Sequence, residues 1–343
     1  MRFGYWMPVF GGWLRNVPDE GMEASWDYVR RLTQRSEESG WDLTLIAELN
    51  LNDIKGVGEP ALDAWSTAAA LAAVTDSIEL MVAVRPNFHQ PALFAKQAAN
   101  IDNISGGRLA LNVVSSWWAD EARQYGLEFD QHDDRYARTS EWLDVVDGLW
   151  TQKRFTYDGE RYRLDQAICE PKPMARPTVY AGGESEAAKT MIACQCDAYV
   201  MHGDPVEAIA PKIADMKVRR EQAGGAPMQF GMAAYAIVRD SEAEAQEELA
   251  RITALPPTPP AGFDNFDQWL SGTELERTLK LQEYSVSNRG LRPDLVGTPE
   301  QLRERIAAYG DAGLDLLLLQ MSPQAEEMDR FAAQVIAPMK AGR

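Results

Sequence analysis

Histidine and cysteine are both scarce in this 343-residue chain, at three each. Three histidines (His89, His132 and His202) are too few for a metal centre drawn from several strands, and no H-E-x-x-H run occurs. The cysteines (Cys169, Cys194 and Cys196) are odd in number and lack paired metal-ligand spacing, which fits a reduced, cytoplasmic protein. The C-x-C pair reads more simply as buried filler than as a redox couple. Positive charge is short as well. With 34 Lys and Arg against 52 Asp and Glu, the formal net charge is −18 and the sequence pI about 4.7. Nucleic acid and anionic membranes are poor partners for such a chain, because phosphates demand a basic face. A local arginine can still hold a small anion. No apolar run reaches the length that spans a bilayer, the longest being near Leu314 to Leu319. The opening MRFGYWMPVF lacks the features of a signal peptide, so no membrane partner is expected.

What is present is alternation. Apolar strands are expected at Phe3–Val9, Trp41–Ala47, Ile78–Val84, Leu109–Val114, Thr178–Ala181, Ala198–Met201, Phe230–Val238 and Leu314–Leu319. Helices fall between them: Ser25–Ser39, Asp63–Val74, Pro91–Ile104, Thr139–Trp150, Ser185–Cys194, one reaching Glu221, Glu242–Ile252 and Pro299–Ala312. A small hairpin is expected over Phe155–Arg163, turning at Asp158-Gly159. Eight strand–helix units call for an α/β fold, a (β/α)8 TIM barrel formed by residues 1–343 as a single domain. The largest insertion, 256–292, precedes the last helix and strand. Its aromatics, Phe263, Phe266, Trp269 and Tyr284, favour an ordered active-site lid over a linker.

A barrel places its site at the C-terminal ends of its strands. Those ends carry Glu48 and Asn50, Arg85, Asn112, Ser115 and Trp117, Gly182 to Ser185, His202, Tyr235, and Gln320 to Ser322. They offer mostly amides, hydroxyls, rings and glycines, so an organic cofactor would do the difficult chemistry. In VYAGGESEAAK, a strand ends in Gly182-Gly183 and opens a helix at Glu184–Ser185. Bare glycines, helix N–H groups and a hydroxyl suit a phosphate, and flavin mononucleotide is the simplest match. The same residues also make an ordinary strand-to-helix turn with a serine cap, and both readings stand. His132 and Tyr136 lie four apart near a helix start; they reach one phosphate or ribityl chain, or belong to a capping cluster with Asp133 and Arg135. His89 receives no role, and His202 suits a pocket wall.

The runs GGRLALNVVSSWW and HDDRYARTSEW, the P-K-P at 171–173, AGGESEAAK and LVGTPEQLRERI together resemble the bacterial luciferase-like flavin monooxygenases. Within that family the chain is similar to the two-component alkanesulfonate and dimethylsulfone monooxygenases, nearly end to end. The resemblance implies reduced FMN (FMNH2) as cofactor, supplied by a separate NAD(P)H-dependent flavin reductase, with O2 as cosubstrate. It also implies a homodimer or homotetramer. It puts cofactor binding on Asn112, Ser115, His132, Tyr136, Gly182, Gly183, Glu184 and Ser185. Arg289 aligns with the loop arginine that meets the sulfonate, with Arg292 as its replacement if the loop is shifted. A guanidinium offers fixed N–H donors to sulfonate oxygens.

The chain departs from the alkanesulfonate pattern in its pocket. Ala233 and Tyr235 stand where those enzymes carry arginine and histidine, His202 replaces a tryptophan, and Ser322 falls near their late tyrosine. Arg289, His202 and Tyr235 are therefore the expected catalytic positions. The mouth rings Trp6, Trp13, Trp117, Trp118 and Tyr235, with polar Asn50, Asn52, Asp53, His202 and Gln320, fit a hydroxyl-rich sulfo-sugar such as sulfoquinovose. Substrate binding is expected at Trp6, Trp13, Asn50, Trp117, Arg292 and Gln320. The alternatives are dimethylsulfone or a simple alkanesulfonate, a deazaflavin (F420)-dependent oxidoreductase, and a non-catalytic flavin-binding protein.

Overall fold

Eight parallel strands close into a barrel: β1 (Arg2–Trp6), β2 (Leu43–Ile46), β3 (Glu79–Val84), β4 (Leu109–Val113), β5 (Thr178–Ala181), β6 (Ala198–Met201), β7 (Gln229–Tyr235) and β8 (Leu316–Gln320). Around the ring each strand pairs with its chain neighbours, and β1 closes on β8 through Gly4↔Leu318. The computed structural model describes residues 1–266, 284–286 and 290–342, with the backbone but not the side chain of His132. The expected TIM barrel is therefore the observed fold.

The interior of the barrel holds Leu43, Leu45, Met81, Ala110, Tyr180, Ala198, Leu316 and Leu318, all buried, with Trp6 and Val200 half-buried beside them. Alternation in a strand sends every second residue inward. Space is tight: a Cβ on Gly4 would stand 2.7 Å from Leu43 and 2.9 Å from Leu318. At the N-terminal end Arg2 donates to Glu79 Oε2 at 2.9 Å and to the Tyr180 hydroxyl at 3.2 Å, and that hydroxyl in turn donates to Glu79 Oε1. The floor is thus polar but satisfied, which leaves the opposite rim as the open end.

The helices begin where short polar side chains cap orphan N–H groups. Ser25 caps α1 (Trp26–Glu38), Asp63 caps α2 (Ala64–Ala72) and Gln90 caps α3 (Pro91–Ser105), which Gly106 ends at φ +72°. Capping boxes open the helices Glu242–Thr253 and Pro299–Asp311. In α1, Val29 and Leu32 face the core, whereas Trp26 is 38% exposed and Arg35 reaches outward to Asp329.

Three boundaries moved for physical reasons. A short α4 (Ala119–Gln124) precedes α5, which runs His132–Thr151 rather than starting at Thr139. Its first turn carries Asp133 and Asp134, which suit a helix N-terminus electrostatically but carry no apolar period. Strand β7 stops at Tyr235, and Ile237–Val238 leave the barrel to pair with Val296–Gly297. The hairpin turns at 159–162, so its second strand is Arg163–Ala167.

Candidate active site

The end of β5 turns sharply. Gly183 has φ +156°; a Cβ built there would stand 2.5 Å from Ala188 Cβ and 3.1 Å from the Tyr136 hydroxyl. On Gly182 a Cβ would meet the Val200 carbonyl at 2.7 Å. Ser185 then caps α6 (Glu186–Gln195), its Oγ accepting from Ala188 N–H at 3.2 Å. Beneath the turn the Tyr199 hydroxyl donates to the Gly183 carbonyl at 3.0 Å, and burial raises the pKa of that hydroxyl. The cap reading of the glycine turn is observed directly, and Gly183 lies in a crowded position, beside Ala188 and Tyr136, at the helix N-terminus. Bare backbone with a hydroxyl over it is a donor set that fits a phosphate ester.

Helix α5 joins this turn to the end of β4. Tyr136 lies over Gly183, and one turn later Thr139 meets Ser115 Oγ at 2.9 Å. Thr139 donates to the Arg135 carbonyl at 2.8 Å, so Ser115 is the donor to Thr139 and keeps its own acceptor lone pairs. Asn112, in register with Ala83 and Tyr180, is the one residue of β4 that is not fully buried. Asn112 and Ser115 at the end of β4 and Gly183 and Ser185 after the adjacent β5 are thus linked by α5, through Thr139 on Ser115 and Tyr136 beside Gly183. The side chain of His132 lies outside the described residues.

Around this centre the charges are paired. Lys212 bridges Glu184 and Asp204 at 2.8 Å each, and Arg292 approaches Asp204 at 3.3 Å. Arg292, expected to bind substrate, thus stands against a carboxylate. Arg289 lies outside the described residues, as does Trp269.

The mouth separates into two sets. Trp13, Trp118 and Tyr235 are each 1% exposed. Trp13 donates its indole N–H to Gln324 Oε1 at 2.6 Å, and burial drives the Tyr235 hydroxyl pKa well up. All three rings are buried. Trp6 and Trp117 are half-buried. Trp117 stacks on Trp118 with centroids 5.3 Å apart and planes within 2°. Gln320 ends β8 beside Tyr235 in register, and its carbonyl holds Ala236 N–H at 3.0 Å. His202 follows β6 half-buried. Asn52 is consumed structurally: its amide donates to the Phe10 and Pro60 carbonyls and accepts from Ile54 and Lys55 N–H.

Asp53 is likewise occupied, by Arg15, which sequence reasoning missed. Arg15 is 3% exposed and bonds Asp53 Oδ2 at 2.7 Å, the Tyr284 carbonyl at 3.1 Å and the Gly262 carbonyl at 3.2 Å, with its guanidinium 4.1 Å over the Tyr284 ring. Phe263 and Tyr284 form a cluster with Leu255, Phe266 and Trp117. Gly262, Phe263 and Tyr284 of the insertion are thus held by Arg15 and packed with Trp117. An arginine in a polar loop, far from its partners in sequence, leaves no periodic signal.

Among the described residues no group of three or more His, Cys, Asp or Glu could hold a metal ion, and no helix is long and apolar enough to cross a membrane.

The fold is a closed parallel barrel with a glycine turn on its polar rim, a frame that many chemistries share, and comparison with known proteins supplies the class. The chain belongs to the luciferase-like monooxygenase family, whose pattern matches residues 1–316. It is 33% identical over 351 residues to the FMNH2-dependent dimethylsulfone monooxygenase of Pseudomonas fluorescens, covering 98% of this chain and 93% of that one. The enzyme of the same description from Pseudomonas putida is also 33% identical, over 353 residues, with 98% and 94% covered. The crystal structure of the long-chain alkane monooxygenase LadA superposes with a TM-score of 0.84 at 19% identity, covering 99% of this chain and 91% of that one.

Proposed function

We propose that the chain is the oxygenating half of a two-component system. It takes reduced FMN from a separate NAD(P)H-dependent flavin reductase and uses O2 to oxidise a small organosulfur compound. The observation that carries this reading is the meeting of Tyr136 with Gly183 at the head of α6, which puts a hydroxyl beside bare backbone at a helix N-terminus, a donor set suited to a phosphate. Gly182, Glu184, Ser185, Asn112 and Ser115 would hold the flavin, with His132 as a further residue proposed for cofactor binding. Bound reduced FMN supplies the electrons that activate oxygen. The chain's own residues bind, orient and keep water out.

The reaction balances on the substrate side. A C–H bond next to sulfur becomes C–OH; the C–S bond then breaks, the hydroxyl proton leaves and a carbonyl forms. The sulfur departs as sulfite from a sulfonate, or as a sulfinate from a sulfone, and the second oxygen atom ends as water. His202, half-buried at the end of β6, is the proposed proton-handling group. Tyr235, 1% exposed on the neighbouring strand β7, serves as packing in this reading.

A sulfone or simple alkanesulfonate is favoured over a sulfo-sugar. Three of the five rings that would stack on a sugar are buried at 1% exposure, and Asn52 and Asp53 are already bonded within the protein. The relatives named for dimethylsulfone support the same choice. Trp6, Trp117, Asn50 and Gln320 form the proposed substrate wall, residues 256–292 its lid, and Arg289 rather than the paired Arg292 the anion contact. The test is to combine the purified protein with FMN, flavin reductase, NADH and O2, and to assay carbonyl product and released sulfite or sulfinate. Dimethylsulfone, methanesulfonate and sulfoquinovose form the panel. Carbonyl product from the sulfone is expected; NADH oxidation without organosulfur-dependent product from any of them would sink the reading.

A further inference from the structure

A buried ionic cluster outside the flavin cradle ties together three successive loops of the rim. Arg85 follows β3 and is 1% exposed. Its guanidinium grips Glu121 of α4 with two N–H groups, NH1 to Oε2 and NH2 to Oε1 at 3.2 Å. Its backbone N–H donates to Glu48 Oε2 at 2.7 Å, and its face lies 3.9 Å over the Phe88 ring. Glu121 is 0% exposed and accepts the backbone N–H of Asn50 at 2.5 Å. On the far side Glu48 meets His89 Nε2 at 2.5 Å. Glu48 and Asn50 belong to the loop after β2, Arg85 and His89 to that after β3, and Glu121 to the helix directly after Trp117-Trp118.

Burying two carboxylates on one guanidinium is an expensive way to hold a loop, since each ion gives up its hydration. An apolar contact would serve for packing alone. A forked guanidinium, by contrast, fixes direction as well as distance. We infer that Arg85 is a positioning residue, setting through Glu121 where Asn50 and Trp117, stacked on the buried Trp118, stand at the rim. The inference rests on the proposed substrate wall but concerns loop placement, which is measurable without turnover.

The experiment is amide hydrogen exchange on the full chain bearing Arg85→Lys, which keeps the charge and loses the fork, with Glu121→Gln as the variant from the other end. Exchange is expected to rise about tenfold or more in peptides covering 46–54 and 115–124, with peptides covering 180–190 unchanged. In steady-state turnover of dimethylsulfone, KM should rise about tenfold while kcat and the FMN dissociation constant move less than about threefold. A rise confined to residues 85–90, or spread evenly over the barrel, would overturn the inference. So would an FMN affinity that falls as far as the sulfone KM rises. Should the wild-type protein turn over no organosulfur compound, the proposed function fails while the exchange pattern still decides this one.

Discussion

Replacing Gly183 with alanine tests the cofactor cradle at its tightest point. The new Cβ would lie 2.5 Å from Ala188 Cβ, far inside van der Waals contact, and 3.1 Å from the Tyr136 hydroxyl. At φ +156° the backbone is also in territory that glycine enters freely and alanine does not. Overpacking costs about 1–3 kcal/mol and a strained backbone position about 1–3 kcal/mol more, so the total is about 2–6 kcal/mol. The protein can meet that cost by losing stability or by opening the turn, and the second route weakens FMN binding. Even about 2 kcal/mol taken from binding is roughly a thirtyfold rise in the dissociation constant. Fluorescence titration of FMN gives the affinity, and thermal denaturation gives the stability. Gly126→Ala is the control, because that glycine has φ +73° with nothing within 4 Å of a Cβ. It should lose a little stability and leave FMN affinity alone. Unchanged FMN affinity and unchanged stability in Gly183→Ala would refute the cradle.

Arg15→Met should leave Asp53 buried without its partner and cost about 3–5 kcal/mol, and limited proteolysis should then cut first within 255–292. Asp130 sits on Arg138 at 2.5 Å, and that hydrogen bond holds its carboxyl below the usual range, helped by the charges of Arg138 and Arg161. A depressed carboxyl pKa contributes stability above its unfolded value and loses it as pH falls through the folded value. The melting-temperature gap between wild type and Asp130→Asn should therefore close on acidification. Among the thiols, Cys194 is exposed while Cys169 and Cys196 are buried, and burial pushes Cys196 up to about 12. Alkylation of the native protein should label Cys194 alone, with the other two reacting only after denaturation.

Much of the barrel was legible because each unit repeats one signal, an apolar strand followed by a capped helix. The eight strands fell within a few residues of their expected positions for that reason. Where burial has no period, the reading failed. The first turn of α5 is polar on all sides, so Tyr136 was seen as close to a helix start when it lies inside one. The cradle was legible in part, since glycines before a serine cap announce a turn but not what closes over it. Trp13 and Tyr235 looked like mouth residues because a ring at a strand end has no sequence mark for which way it faces. Arg15 with Asp53, and Arg85 with Glu121, were invisible as pairs. Long-range ion pairs depend on how loops return over the rim, which local pattern does not encode.

Reduced FMN on this barrel is proposed to turn O2 onto an organosulfur carbon. A single-turnover mixing experiment addresses it directly: the protein is loaded anaerobically with one equivalent of reduced FMN and dimethylsulfone, then mixed with oxygenated buffer. Formaldehyde and hydrogen peroxide are both quantified. The account predicts sulfone-dependent formaldehyde approaching one per reduced FMN, with peroxide falling in step. Peroxide accounting for all the oxygen consumed, with or without the sulfone or any sulfonate, would contradict it.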